Sequence, residues 1–124
     1  MFLFRYYDEK TKIDRAWYTS SSILYSECDD LENALKVLRV TFKNGATYQY
    51  NDVDVNDYVM FLHGGLDGSN GKALNKFIKP KCQFIRLQDK NPVEVMNEME
   101  KYKKIKQAED EEKSKNGEDK SNTK

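Results

Sequence analysis

The sequence holds a single histidine, His63, and only two cysteines, Cys28 and Cys82, in 124 residues. Neither cysteine stands at a short spacing from the other or from His63, which argues against the usual zinc sites. Nucleophilic catalysis lacks its parts as well. The hydroxyl run Thr19-Ser20-Ser21-Ser22 has no imidazole near it in sequence and reads as the lead-in to a strand. Carboxylates are plentiful, but none is patterned with His, Cys or a second carboxylate in a way that points to chemistry. A binding module with no cofactor and no metal is therefore expected, not an enzyme. Met1-Phe2-Leu3-Phe4 gives way at once to Arg5 and polar residues, unlike a secretory signal, and no apolar run approaches the length of a membrane helix. A cytosolic location with unpaired cysteines is the expectation, with no membrane partner.

An excess of one charge is missing too, since Lys plus Arg and Asp plus Glu number 21 each. The chain as a whole offers no attraction for bulk nucleic acid. Its charges are nonetheless unevenly spread. Lys72, Lys76, Lys79, Lys81, Arg86 and Lys90 face only Asp89 in their stretch, whereas Glu27, Asp29, Asp30 and Glu32 cluster, as do Asp52, Asp54 and Asp57. If phosphates are bound, the stretch from Lys72 to Lys90 is the side to do it. Gly68-Ser69-Asn70-Gly71-Lys72 superficially resembles a phosphate loop but lacks the required spacing, because Ala73 follows the lysine.

What the chain does have is aromatic residues: eight Tyr, six Phe and one Trp. Nearly all precede residue 90, enough for a compact core without staples. The most telling stretch is Phe42-Lys43-Asn44-Gly45-Ala46-Thr47-Tyr48-Gln49-Tyr50. A three-residue loop with left-handed Gly45 pairs Phe42 with Ala46. It sets Leu38, Val40, Phe42, Tyr48 and Tyr50 on one face and Val37, Arg39, Thr41, Thr47 and Gln49 on the other. Tyr48 and Tyr50 are then either core residues with hydroxyls at the rim or a stacking platform for bases.

This hairpin belongs to a longer pattern. Ser22-Ile23-Leu24-Tyr25, Leu38-Arg39-Val40-Thr41-Phe42 with Asn44-Gly45, Tyr48-Gln49-Tyr50-Asn51-Asp52-Val53, Tyr58, Ser69-Asn70-Gly71-Lys72, Asn75, Ile78 and Gln83-Phe84-Ile85-Arg86-Leu87 follow in that order. Together, from about Ser20 to Leu87, they resemble the KTSC domain. That short module is named for its place at the C-terminus of some lysyl-tRNA synthetases and also occurs alone in bacterial and phage proteins. The resemblance implies RNA binding, a role suggested for the family, and brings no catalytic residues; the cytoplasm would be that of a bacterium or of an infected host cell. Cys82 departs from the pattern, which usually has an aromatic there, and Asp29 to Leu35 reads as an insertion.

The coarse organisation is α+β: a mostly antiparallel small sheet of about five to six strands with two short helices, plus a C-terminal helix and a disordered tail. Residues 1–90 form the domain, 91–106 an amphipathic helix and 107–124 the charged tail. Phe2 to Tyr7 and Ile13 to Tyr18 make a first hairpin, with Trp17 packed or anchoring an interface. Asp54 caps a helix burying Val55, Tyr58, Val59 and Leu62, which ends at His63-Gly64-Gly65. Ser69 or Asn70 caps a second, Gly71 to Lys79, with Leu74, Phe77 and Ile78 inward and Lys72, Lys76 and Lys79 outward. After Asn91-Pro92, a narrow stripe of Val95 or Met96, Met99, Tyr102 and Ile105 either packs on the domain or serves a partner.

Two functions fit. Nucleic acid, RNA first, would meet Tyr48, Tyr50, Lys72, Lys76, Lys79, Lys81 and Arg86. Alternatively a protein partner would take Met96, Met99 and Tyr102, as in a phage-encoded adaptor or inhibitor acting on a host complex. The oligomeric state is left open.

Overall fold

The computed structural model describes residues 2–29, 35–65 and 68–122. Six strands, β1 (Phe2–Asp8), β2 (Ile13–Tyr18), β3 (Ile23–Asp29), β4 (Leu35–Phe42), β5 (Thr47–Asp54) and β6 (Phe84–Leu87), form one antiparallel sheet in sequence order. Between β5 and β6 come α1 (Val55–Leu62), α2 (Asn70–Ala73) and a π-helical turn (Leu74–Ile78); α3 (Pro92–Asn122) follows β6. The expected α+β class is what is seen. Of the acidic cluster, Asp30 and Glu32 lie outside the described residues.

The β4–β5 register is the one the Asn44-Gly45 turn dictates. Thr41 pairs with Thr47, Val40 with Tyr48 and Leu38 with Tyr50, while the Phe42 N–H donates to the Ala46 carbonyl at 2.8 Å. Gly45 has φ +94°, and a Cβ there would stand 2.4 Å from the Lys90 carbonyl oxygen. Only glycine meets both demands, because the Lys90 N–H also donates to the Gly45 carbonyl and clasps the start of α3 to the hairpin.

The sheet is buried on both faces. On the first, Ala16, Tyr18, Ile23, Cys28, Leu38, Val40, Tyr50 and Val53 pack against Tyr58, Phe61, Leu62, Leu74 and Ile78. The Asp54 carboxylate caps α1, accepting from the Asn56 N–H at 2.8 Å. One expectation is corrected here: α1 buries Tyr58, Phe61 and Leu62, whereas Val55 and Val59 remain 39% and 44% exposed. Both sets have helical spacing, and the stripe with the larger side chains faces the sheet. Ser69 caps α2, while the fully buried Asn70 amide donates to the Phe61 and Leu62 carbonyls, satisfying acceptors at the end of α1. The predicted single helix over 71–79 opens into the π turn, closed by a Lys79 N–H donating to the Leu74 carbonyl at 2.9 Å.

On the second face Trp17, Leu24 and Tyr25 pack with Val95 and Met99, flanked by Phe4, Met96 and Tyr102. Beside this cluster runs a row of ions. Arg15 donates to the Tyr25 hydroxyl at 2.8 Å and to Glu27 at 2.6 Å, and Arg39 bridges Glu27 and Asp29. The stripe of α3 is thus packed on its own sheet. Of the three partner-helix candidates, Met99 is buried in this cluster, and Met96 and Tyr102 pack against it partly buried, so the stripe faces its own sheet and not solvent.

The α3 backbone stays helical past residue 106 to Asn122, but its described contacts with the sheet end near Glu109, which accepts from the Tyr6 hydroxyl at 2.9 Å. Among the described contacts, deleting residues 107–124 removes that bond to a carboxylate, worth about 1.5 kcal/mol, so Tm should fall by no more than about 10 °C. A calorimetric drop beyond twice that would show that the distal helix supports the fold.

Candidate nucleic-acid interface

At the β4–β5 turn end of the first face the covering helices stop short, and four rings form a cradle. Phe42 and Tyr48 meet edge to face, their centroids 5.8 Å apart and planes at 85°; Tyr48 and Phe84 do likewise at 5.7 Å and 73°. Tyr50 closes the floor 6.0 Å from Phe84. The order follows from register, for Tyr48 pairs with Val40 on one side and Arg86 on the other, and Tyr50 with Phe84. Phe84 lies on the edge strand and is 58% exposed. With Ser22, Lys43, Asn44, Ala46 and Lys79 the rings bound an open cavity of about 610 Å³.

Two cations overhang the cradle. Lys79 Nζ lies 5.8 Å from the Phe42 centroid and the Arg86 guanidinium 5.7 Å from that of Tyr48. The π turn ends at Ile78, so the register it imposes sets the position of the following Lys79. Arg86 also pairs with Asp89 at 3.2 Å, and that hydrogen bond raises its pKa further above the usual guanidinium value. Planar faces beneath positive charge suit a ligand that has both a π-face and an anion.

Of the residues picked from sequence, Tyr48, Lys79 and Arg86 come together here. Tyr50 offers no open ring face as a platform: it is 2% exposed and belongs to the core cluster that also holds Leu74 and Ile78 of the π turn. Lys72 and Lys76 are exposed but outside the cavity lining, Lys76 lying over the Phe77 ring at 5.5 Å. Lys81 is paired with Asp57 at 3.2 Å. Sequence reasoning missed Phe42, Lys43 and Phe84 as site residues. The signal for Phe84 was there, an aromatic at the start of the last strand, but only strand order shows that this strand is an edge.

Residues 30–84 match the family model of the KTSC domain. The chain contains a KTSC domain. The match runs from just before β4 to the first residue of β6, so it holds all four cradle rings and Lys79, while β1 to β3, Arg86 and α3 lie outside it. Cys82, where an aromatic is usual, is buried and directs its thiol to the Asp52 carbonyl at 3.8 Å. No curated protein matches the chain. Among the described residues no His, Cys, Asp and Glu converge as a metal would need, and no helix is long and apolar enough to cross a membrane.

Proposed function

We propose that this KTSC protein is a non-enzymatic module that binds single-stranded RNA, one unpaired base resting against Phe84 and Tyr48 and the neighbouring phosphates meeting Lys79, Arg86 and Lys43. The observation carrying the reading is a mostly exposed Phe84 joined to Tyr48 and Phe42, with cations over two of the rings. An exposed Phe on an edge strand is otherwise a liability, and base stacking gives it a use. Overall neutrality is no obstacle, because only charges within about 8 Å act strongly at physiological salt.

The reading is tested by fluorescence anisotropy with a labelled single-stranded oligoribonucleotide. Phe84→Ala should weaken binding about tenfold or more, since stacking contributes about 1–3 kcal/mol per base. Lys79→Ala with Arg86→Ala should flatten the log-log salt dependence by about 1.4, two phosphates at roughly 0.7 each. Failure of the parent to bind at micromolar concentration in low salt, or a Phe84→Ala variant that binds as well as the parent, would remove the proposal.

A further inference from the structure

The other end of the first face carries a second cavity, about 740 Å³, that shares no lining residue with the aromatic cradle. It lies between the edge strand β1 and α1. Its walls are apolar and open: Leu3 is 52% exposed, Tyr7 38%, Val55 39% and Val59 44%. Val55 and Val59 stand one turn apart on α1 and form the ridge that sequence periodicity marked for burial but that the sheet does not cover. A ridge of this kind beside an uncovered strip of sheet has the shape that a further helix packs into.

The polar part of the groove is built, not incidental. Asp14, 6% exposed, accepts from Arg5 Nε at 3.0 Å, from Arg5 Nη2 at 2.8 Å and from the Tyr58 hydroxyl at 2.6 Å. The buried carboxylate holds the guanidinium by its Nε and Nη2 edge. Arg5 has five donors in a fixed fork, and its side chain is 42% exposed, so donors remain for a second carboxylate. Lys36 and Lys106 also line the groove. With the Asp14 carboxylate satisfied by Arg5 and Tyr58, the exposed donors of Arg5 suit an acidic occupant.

The occupant is not another part of the described chain. The apolar stripe of α3 is packed on the second face, and beyond Ile105 that helix carries only Ala108 as an apolar residue. We propose that this groove docks an amphipathic helix of another protein, whose apolar face packs on Val55 and Val59 and carries one Asp or Glu that pairs with Arg5. The RNA reading is not needed for it, and together the two sites would make the protein an adaptor with its ligands at opposite ends of one sheet face.

The probe is a phage-displayed library of sixteen-residue helix-forming peptides, selected on the full chain and remade as synthetic peptides. Enriched sequences should carry apolar residues at helical spacing with one carboxylate among them. Changing that carboxylate to the amide should weaken binding about tenfold, the scale of a charge-assisted hydrogen bond, without touching the protein. Val59→Asp, at a half-exposed position, should abolish binding with Tm unchanged, and Phe84→Ala should leave it intact. The proposal falls if nothing is enriched over a blank support, if the winners lack an acidic residue or tolerate its amide, if they bind Val59→Asp as well as the parent, or if Phe84→Ala removes them.

Discussion

Raising the pH from about 9 to about 11 should cost this protein about 4 kcal/mol of stability through three of its buried phenols, Tyr18, Tyr25 and Tyr58, which are held with their protons on. Tyr6 and Tyr50, each pushed up to about 12 by burial, add to the loss and so favour cooperative unfolding. Tyr18 is 2% exposed and its hydroxyl bonds that of Ser26 at 2.6 Å; Tyr25, 1% exposed, lies between Arg15 and Glu27; Tyr58, 5% exposed, donates to Asp14. Burial, first of all, pushes each pKa well above the ordinary 10.0, and the carboxylates of Asp14 and Glu27 oppose phenolates beside them. A group whose folded pKa is raised gives its full stabilisation below the unfolded pKa and loses it as pH climbs toward the folded value. The loss therefore begins near pH 10 and grows by about 1.4 kcal/mol per tyrosine per unit. Cys28, pushed up to about 12 by burial and by Asp14, acts in the same direction from a lower onset. Natural domains hold about 5–15 kcal/mol in all, so this loss is a large part of the whole. Tyrosinate absorbance and far-ultraviolet circular dichroism, followed together against pH, should change in one step. Tyrosinate appearing near pH 10 for all eight tyrosines while the dichroism stays native would show that these hydroxyls are reachable by solvent.

How much of this was legible beforehand differs from element to element. The β4–β5 hairpin was readable because Gly45 and the match of apolar to apolar both select one register. Asp54 and Ser69 announced their helices because a cap is a local hydrogen bond that three or four residues decide. Which face a residue takes is local as well, and Tyr48 and Tyr50 were placed on the right one. What covers that face is not local. Tyr50 lost its candidacy to a core that draws in Leu74 and Ile78 some twenty-five residues later, and Phe84 gained its exposure from being on the last strand of the order, which no short window of sequence contains. On α1 the expected stripe of Val55, Tyr58, Val59 and Leu62 shares Tyr58 and Leu62 with the face that is buried, but the sheet takes Phe61 and leaves Val55 and Val59 outside. The same limit left α3 open between packing and display, and the structure answers with Trp17.

That answer supplies the second large effect. Trp17 is fully buried, 4.8 Å from the Tyr25 ring, 5.7 Å from Phe4 and 6.0 Å from Tyr102, and its indole N–H donates to the Val95 carbonyl at 2.9 Å. Trp17→Ala would leave a void between sheet and helix and is expected to cost about 4 kcal/mol, the middle of the range for a large aromatic truncated in a core. Trp17→Phe keeps most of the ring area and loses chiefly the hydrogen bond, so about 1–2 kcal/mol should go. The damage should be directional. In the alanine variant the amides of residues 92–105 should lose hydrogen-exchange protection before those of β4 and β5, since α3 is held by this cluster and by the Gly45–Lys90 clasp while the central strands are held by the opposite core. A Trp17→Ala protein with unchanged Tm and a protected α3 would mean that the helix does not depend on the sheet, and its stripe of Met96, Met99 and Tyr102 would again be available to a partner.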